Sequence, residues 1–369
     1  MKRMYRYLLF CSLFIFGGCS EIPSTEKNEA KPGIEVQNSY AEAFRITRFE
    51  NYIQIDVIDP HTKEVDFEYI VGLARKDNQC IKLSKSPSRV IALSSTHVGM
   101  IEELGLSDRI VGVSSADYVC SKTVLTQIEN KKTVSLGDIG SSDIEGYLAS
   151  QPDLIITSGF DNKAPILSKM RSAGLTLFTN YDWKETHPLG RAEWIKVFGI
   201  LFDQEEKANE LFEMIREKYL EALQRVAEID TKPTVFVGTL YGDIFNAPAG
   251  DSYMAKLLKD ANVHYVYANT NGVGSLTLTL EDVISTNRTT DFWLNPAAKN
   301  REQLVQMNSR FELLACIDNG KVYSYYQNVN CFWEQSAVKP HIFLKDLCII
   351  FYPELFKNDE LNFYSLIQP

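Results

Sequence analysis

Arg89-Val-Ile-Ala-Leu93, and further on Asp143-Ile-Glu-Gly-Tyr-Leu-Ala-Ser-Gln-Pro-Asp153-Leu-Ile-Ile156, decide the fold. The first is a short, continuously apolar strand, and Ser94-Ser95-Thr96 lead from it into a helical pattern over His97 to Leu104. Gly105 stands where a helix-terminating glycine belongs. In the second stretch, Asp143 to Ser150 reads as a short helix with Ser141 and Ser142 as candidate caps. Pro152 ends it, and Asp153 opens another buried strand. Between them Arg109-Ile-Val-Gly-Val is a strand; beyond them Lys163 to Ala173 is helical, Gly174 stops it, and Leu175-Thr-Leu-Phe is a strand. Fully apolar strands alternating with helices predict a parallel sheet covered on both faces.

A helical stretch follows. Gly190 to Phe202 is amphipathic, and Gln204 to about Glu228 continues without Gly or Pro, with Leu211, Ile215, Leu220 and Leu223 at helical spacings. The α/β pattern then restarts: strand Thr234-Val-Phe-Val-Gly, helix Ser252 to Asp260, helix Thr279 to Ser285, strand Asp291-Phe-Trp-Leu and strand Lys321-Val-Tyr-Ser-Tyr. A helical region around Val338 to Ile350 closes the chain. The fold class is therefore α/β, with two lobes of mainly parallel sheet joined by one long helix. Ahead of both lobes, residues 44 to 75 alternate and are rich in β-branched and aromatic residues, predicting a small antiparallel β unit. The boundaries are 34–84 for this extension, 85–203 for the first lobe, 204–230 for the connecting helix and 231–369 for the second lobe. Roughly 335 residues beyond the leader suit two lobes better than one core.

The leader is residues 1–18. Lys2, Arg3 and Arg6 precede a short apolar run from Leu8 to Phe16, too short to span a bilayer. Gly17-Gly18-Cys19 resembles a bacterial lipobox, with Phe16 in place of the usual aliphatic residue, so Cys19 is the candidate lipidation site. Residues 19–33 are a polar tether. These features predict an exported chain, anchored by lipid on the periplasmic side of a bacterial membrane or at a cell surface. Losing the three basic leader residues moves the formal charge from −10 to −13, and no basic stripe points to nucleic acid. Cys80, Cys120, Cys316, Cys331 and Cys348 have no Cys-x-x-Cys spacing; disulfides are allowed, but their pairing is not readable.

The two lobes echo each other. Asp143-Ile-Glu145 through Pro152-Asp153-Leu-Ile-Ile has its counterpart in Leu280-Glu281-Asp-Val-Ile-Ser-Thr-Asn-Arg-Thr-Thr-Asp291-Phe-Trp-Leu. Across residues 85 to 358 this order resembles the substrate-binding proteins of ABC importers for ferric siderophores, haem and vitamin B12. The resemblance implies a rigid inter-lobe helix, a monomer and no intrinsic cofactor. Its ligand is an iron chelate or cobalamin, and its partners are an ABC permease and its ATPase. It also implies permease docking through one glutamate on each lobe, at positions matched by Glu145 and Glu281. Both also fit as solvated acids at helix starts.

Cleft residues in such folds follow the C-terminal ends of strands. The candidates are Ser95, His97, Tyr118, Phe160, Tyr181 and Trp183 from the first lobe, and Tyr241, Phe245, Tyr267, Phe332 and Trp333 from the second. Aromatic walls suit a broad, flat ligand, although any single ring is more often packing. Arg191 reads as a surface helix arginine or a partner for an anionic chelate. Asp251-Ser252-Tyr253 reads as a helix cap, and Trp333-Glu334 as a rim. A zinc or manganese importer component would need His97, His187, His264 or His341 to converge with carboxylates. An exported enzyme is the reading from another class, but no Gly-x-Ser-x-Gly, Walker loop or Gly-x-Gly-x-x-Gly accompanies a strand.

Overall fold

The computed structural model describes residues 33–72, 80–137, 144–159 and 165–368. The leader, Cys19, most of the tether, Phe160 and the cap positions at 141–143 lie outside the described residues.

Five strands form the N-terminal sheet in sequential order: β1 (Ile34–Val36), β2 (Phe44–Arg48), β3 (Tyr52–Ile58), β4 (Val65–Gly72) and β5 (Ile81–Leu83). The first four pair antiparallel and β5 runs parallel to β4. The next sheet is wholly parallel: β6 (Val90–Ala92), β7 (Ile110–Val113), β8 (Val134–Ser135), β9 (Leu154–Thr157) and β10 (Leu177–Thr179), in the order β10-β9-β6-β7-β8. Four of these five strands are buried at every residue, because helices cover both faces; β8 at the edge is exposed. The chain starts at the central β6 and winds outward first one way, then the other, so a topological switch point lies beside β6.

The third sheet repeats this plan. It contains β11 (Thr234–Val237), β14 (His264–Tyr265), β16 (Phe292–Leu294), β17 (Val322–Ser324) and β18 (Ser365–Leu366), ordered β14-β11-β16-β17-β18 with only β18 antiparallel. Between these strands, β12 (Thr239–Tyr241), β13 (Ile244–Pro248) and β15 (Ser275–Thr279) make a separate antiparallel sheet that the sequence pattern did not reveal.

The Asp-led strands that echo in sequence share one device. Asp153 Oδ2 accepts from the backbone N–H of Ser88 (2.8 Å) and Arg89 (3.0 Å) and from the Ser88 hydroxyl (2.8 Å). Asp291 Oδ2 accepts from the Thr234 N–H at 2.8 Å and its hydroxyl at 2.7 Å. Each aspartate thus pins the start of the first strand of its sheet, which lies beside its own. Both carboxyls sit below the usual range: the serine or threonine hydrogen bonds and a nearby cation together outweigh the largest single influence, burial, which pushes upward.

The long helix runs Glu205–Val226, 22 residues, or roughly 33 Å. Its buried face uses Ala208, Phe212, Ile215, Tyr219, Ala222 and Val226, packed against helices Ile195–Phe202 and Pro340–Phe351. Of the four residues expected on the apolar stripe only Ile215 is buried; Leu220 is exposed and Leu211 and Leu223 are half-buried. The stripe is rotated because aromatic and small residues, rather than leucines, fill the groove between the two neighbouring helices. The stretch from Gly190 to Phe202 divides at Trp194 into helices Pro188–Glu193 and Ile195–Phe202. One continuous apolar cluster joins the N-terminal sheet, the first parallel sheet, this helix layer and β11 and β16.

A disulfide joins Cys120, beyond β7, to Cys331 in helix Val329–Gln335, across a sequence separation of 211 residues. The Glu334 carboxylate, fully buried beside it, accepts from the N–H groups of Cys120 (2.7 Å) and Ser121 (3.2 Å). The helix lies close against Ser95–Glu103; a Cβ on Gly99 would meet the Glu334 carbonyl oxygen at 2.0 Å. Closing so long a loop constrains the unfolded chain strongly. Replacing both cysteines by serine is expected to lower the unfolding free energy by about 3–5 kcal/mol, measured by urea denaturation. A loss below about 1 kcal/mol would show that the neighbouring contacts already hold this clasp.

Candidate ligand-binding site

The segment just past β10, Asn180-Tyr-Asp-Trp-Lys-Glu-Thr-His-Pro-Leu-Gly-Arg-Ala-Glu193, carries an unusual load of buried polarity. Asn180, Asp182, Glu185, Arg191 and Glu193 are all buried. Glu193 accepts from the backbone N–H groups of Ser39, Tyr40 and Ala41 (2.8–3.1 Å) and from Lys196 Nζ at 2.8 Å. Glu185 accepts from Glu42 N–H, Ala43 N–H and the Trp194 indole at 2.9, 2.9 and 3.0 Å. These two carboxylates hold the chain that leads into β2. The N-terminal sheet reciprocates: the Tyr69 hydroxyl accepts from Thr179 N–H (2.9 Å), and Asp66 accepts from the Tyr181 hydroxyl (2.7 Å).

Arg191 is a correction to the surface reading. Its guanidinium is buried, donates to Asp182 Oδ2 at 2.9 Å and lies 4.4 Å from the Tyr253 ring centroid. Burial alone would lower its pKa, but Asp182 and Tyr253 together raise it. Tyr253 opens the helix beyond β13, so this contact joins the loop after β10 to the second α/β half. Ser252 is the cap foreseen, accepting from Ala255 N–H at 3.2 Å.

Loops beyond the C-terminal ends of strands in both halves meet here. Asn330, past β17, donates to the Asp117 carbonyl past β7 at 2.5 Å, next to the disulfide. Among the described residues, Asn180 Nδ2 and Arg191 Nε are buried without a hydrogen-bond partner, while buried Asn295 and the buried Tyr364 hydroxyl interact with each other. Asn180 directly follows β10 and Asn295 directly follows β16. Buried polar groups normally pair, so the Asn180 and Arg191 nitrogens offer donors to a bound group.

The foreseen residues divide by burial. Tyr118 (53% exposed) and Trp333 (44% exposed) flank the disulfide on opposite sides of the chain, and Trp333 packs edge-on against Tyr325 and Phe332. Trp183 is half-buried, with its indole N–H donated to the Ser158 carbonyl. Ser95 is half-buried in the first turn after β6. Tyr267 is half-buried and accepts from Asn287 at 2.7 Å, while Tyr241 stands 83% exposed on β12. Tyr181, Phe245 and Phe332 are core residues: Tyr181 is tied to Asp66, Phe245 packs on Phe236 and Trp293, and Phe332 stacks on Tyr325 at 3.8 Å. Phe332 and Trp333 belong to a helix, not a loop, so their rings point to opposite environments. His97 is fully buried, both ring nitrogens without a partner; burial pushes its pKa down to about 4 against the pull of Asp182. Among the described residues no three His, Cys, Asp or Glu side chains gather as a metal site. Glu145 is exposed on helix Ile144–Ala149, and Glu281 is exposed and paired with Arg310.

Asn180, Asp182, Asn295, Tyr325 and Tyr364 escaped the sequence reading, and Tyr253 was read only as part of a helix cap. For all but Tyr364 the one available signal was position, just beyond an apolar strand or at a helix start.

Two parallel sheets built on one plan, with loops past their strands in contact, are the architecture to compare. Comparison with known proteins gives the family: residues 90–329 match the family model described as periplasmic binding protein, and the chain belongs to that family. It is a family of binding proteins, not enzymes. The chain is 22% identical over 262 residues (69% of this chain, 80% of the relative) to an ABC transporter substrate-binding lipoprotein of Bacillus subtilis. It is 25% identical over 213 residues (56% and 53%) to a cobalamin-binding protein of Halobacterium salinarum. A periplasmic heme-binding protein of Pseudomonas aeruginosa shares the fold at a TM-score of 0.58 and 17% identity, over 72% of this chain and 93% of that one. Among the described residues no helix is long and apolar enough to cross a membrane.

Glu185 links this site to pH. Burial raises its carboxyl to about 7, opposed by the Glu42, Ala43 and Trp194 donors. The folded state therefore holds the proton more tightly than the unfolded chain. That contribution is complete below about pH 4.5 and lost as pH rises through about 7, up to about 3 kcal/mol in all. Unfolding free energy should fall between pH 5 and 8, and Glu185→Gln should flatten that slope. An unchanged slope would mean the three donors keep the carboxylate charged.

Proposed function

We propose that the chain is the substrate-binding component of an ABC importer, capturing an iron chelate (siderophore or haem) or cobalamin between two lobes and presenting it to a permease. The observation that carries this reading is the meeting of strand-end loops from both parallel sheets, Asn330 with Asp117 and Arg191 with Tyr253, together with the buried unpaired atoms Asn180 Nδ2 and Arg191 Nε and the exposed rings of Tyr118 and Trp333. Exposed rings and unpaired polar atoms suit a flat chelate with hydrogen-bonding substituents. The importer role is supported by the Bacillus subtilis relative, and the ligand class by the cobalamin- and heme-binding names among the similar proteins. Lipidation at Cys19, the lobe boundaries at 85–203 and 231–369, and the monomeric state belong to the same proposal. Capture of bare zinc or manganese has less support, since His97 is sealed in the core.

Glu145 and Glu281 are the proposed docking carboxylates, one in the first turn of a helix in each half. Arg310 already pairs with Glu281 and lowers its pKa; a permease arginine would take over that exposed pair at little cost.

Calorimetry of the chain from Ser20 onward against cobalamin, haem, ferric siderophores, zinc and manganese tests the ligand. One chelate is expected to saturate a single site, and binding only to a bare ion would overturn the chelate reading. Trp333→Ala should weaken that chelate about tenfold; full affinity would place the ring outside the site. Glu145→Ala with Glu281→Ala should abolish uptake in a reconstituted importer while leaving ligand affinity intact. Uptake at the parent rate would remove the docking role.

A further inference from the structure

The family match begins at Val90, so the sheet β1–β5 lies outside it. The turn between β3 and β4 carries Asp59-Pro60-His61, and two contacts fix its position. Asp59 Oδ1 accepts from His61 N–H at 2.8 Å, and Oδ2 accepts from Lys184 Nζ at 2.6 Å. The Lys184 ammonium also lies 3.8 Å from the Tyr181 ring centroid. This turn, Glu42, residues Trp183–Thr186 and Val273 of the loop before β15 line an open cavity of about 310 Å³. Its wall therefore draws on three parts of the molecule: the N-terminal sheet, the segment beyond β10 and the second α/β half.

Three properties define what this cavity accepts. Its volume suits one or two fused rings rather than a macrocycle. Trp183 forms part of the wall, and the 2.5 Å hydrogen bond from its indole to Ser158 sets the ring before anything binds. Among the described residues of the wall the one lysine or arginine, Lys184, is already paired with Asp59, so a free carboxylate would meet no uncompensated positive charge from it.

We infer that the N-terminal sheet is a third wall of the ligand site, and that this cavity receives a neutral planar aryl arm of the captured chelate, stacked on Trp183 beside Pro60 and His61. The inference rests on the chelate-binding reading above and narrows it toward an aryl-bearing iron chelate rather than a corrin.

The test labels the chain with 5-fluorotryptophan and follows the ¹⁹F resonances of its four tryptophans, with Trp183→Phe and Trp333→Phe each assigning one. Salicylamide is the neutral planar probe and benzoate the anionic one. Salicylamide is expected to shift the Trp183 resonance saturably, with benzoate at least fivefold weaker. His61→Trp, at an exposed turn position, fills the cavity and should weaken salicylamide at least tenfold. A shift confined to Trp333, or none up to the solubility limit, overturns the inference. Calorimetry with ferric siderophores then separates the two levels. Equal affinity of a siderophore for the parent chain and His61→Trp removes the third wall while leaving capture intact. A siderophore at least tenfold weaker on His61→Trp supports it, and no chelate binding to either chain overturns the underlying reading and the inference together.

Discussion

The structure depends on two carboxylates, Glu185 and Glu193, that are buried within one short segment and spend their acceptor capacity on backbone N–H groups. Burying a carboxylate is costly unless its lone pairs are filled, and here residues 39–43 fill them. The cost is met by ordering a chain that would otherwise have no reason to lie there. With that chain fixed, β2 can pair with β3, Tyr69 can cap the end of β10, and Asp59 and Asp66 can reach Lys184 and Tyr181. The same segment carries Asp182 and Arg191 toward Tyr253. One stretch of chain thus couples the N-terminal sheet to the crevice where both α/β halves meet.

How much of this was legible follows from which interactions are local. Short apolar strands such as Val90–Ala92 and Phe292–Leu294 announce themselves because burial on both faces allows no alternation. The Asp153 and Asp291 echo was legible for a similar reason. Each aspartate serves the adjacent strand start, so the local pattern and its structural purpose coincide. The long helix was visible in outline, but its buried face was not, since Phe212, Tyr219 and Ala222 fill the groove between the preceding helix Ile195–Phe202 and the sequence-distant helix Pro340–Phe351. The site itself was harder. The rule that ligands meet strand ends picked out half-buried Trp183 and exposed Trp333, yet could not separate them from the buried Tyr181 and Phe332 close by in sequence. Alternate residues in a turn or helix face opposite environments, and only the packing partner decides which faces in. Arg191 misled because a charged residue in an amphipathic helix is usually solvated; its partner Asp182 sits nine positions earlier, beyond any helical spacing.

The contacts that cross between the two halves differ in kind. The Cys120–Cys331 bond and the Glu334 carboxylate bind the loop after β7 to helix Val329–Gln335 covalently and through buried charge-assisted hydrogen bonds. Arg191 crosses to Tyr253 through the ring face and a side-chain hydrogen bond, while its ion pair with Asp182 remains on its own side. The loop past β10 thus meets helix Tyr253–Asp260 non-covalently, whereas the loop past β7 is covalently bonded to helix Val329–Gln335. The exposed rings of Tyr118 and Trp333, each two residues from a bonded cysteine, therefore sit on the more firmly fixed of these two crossings.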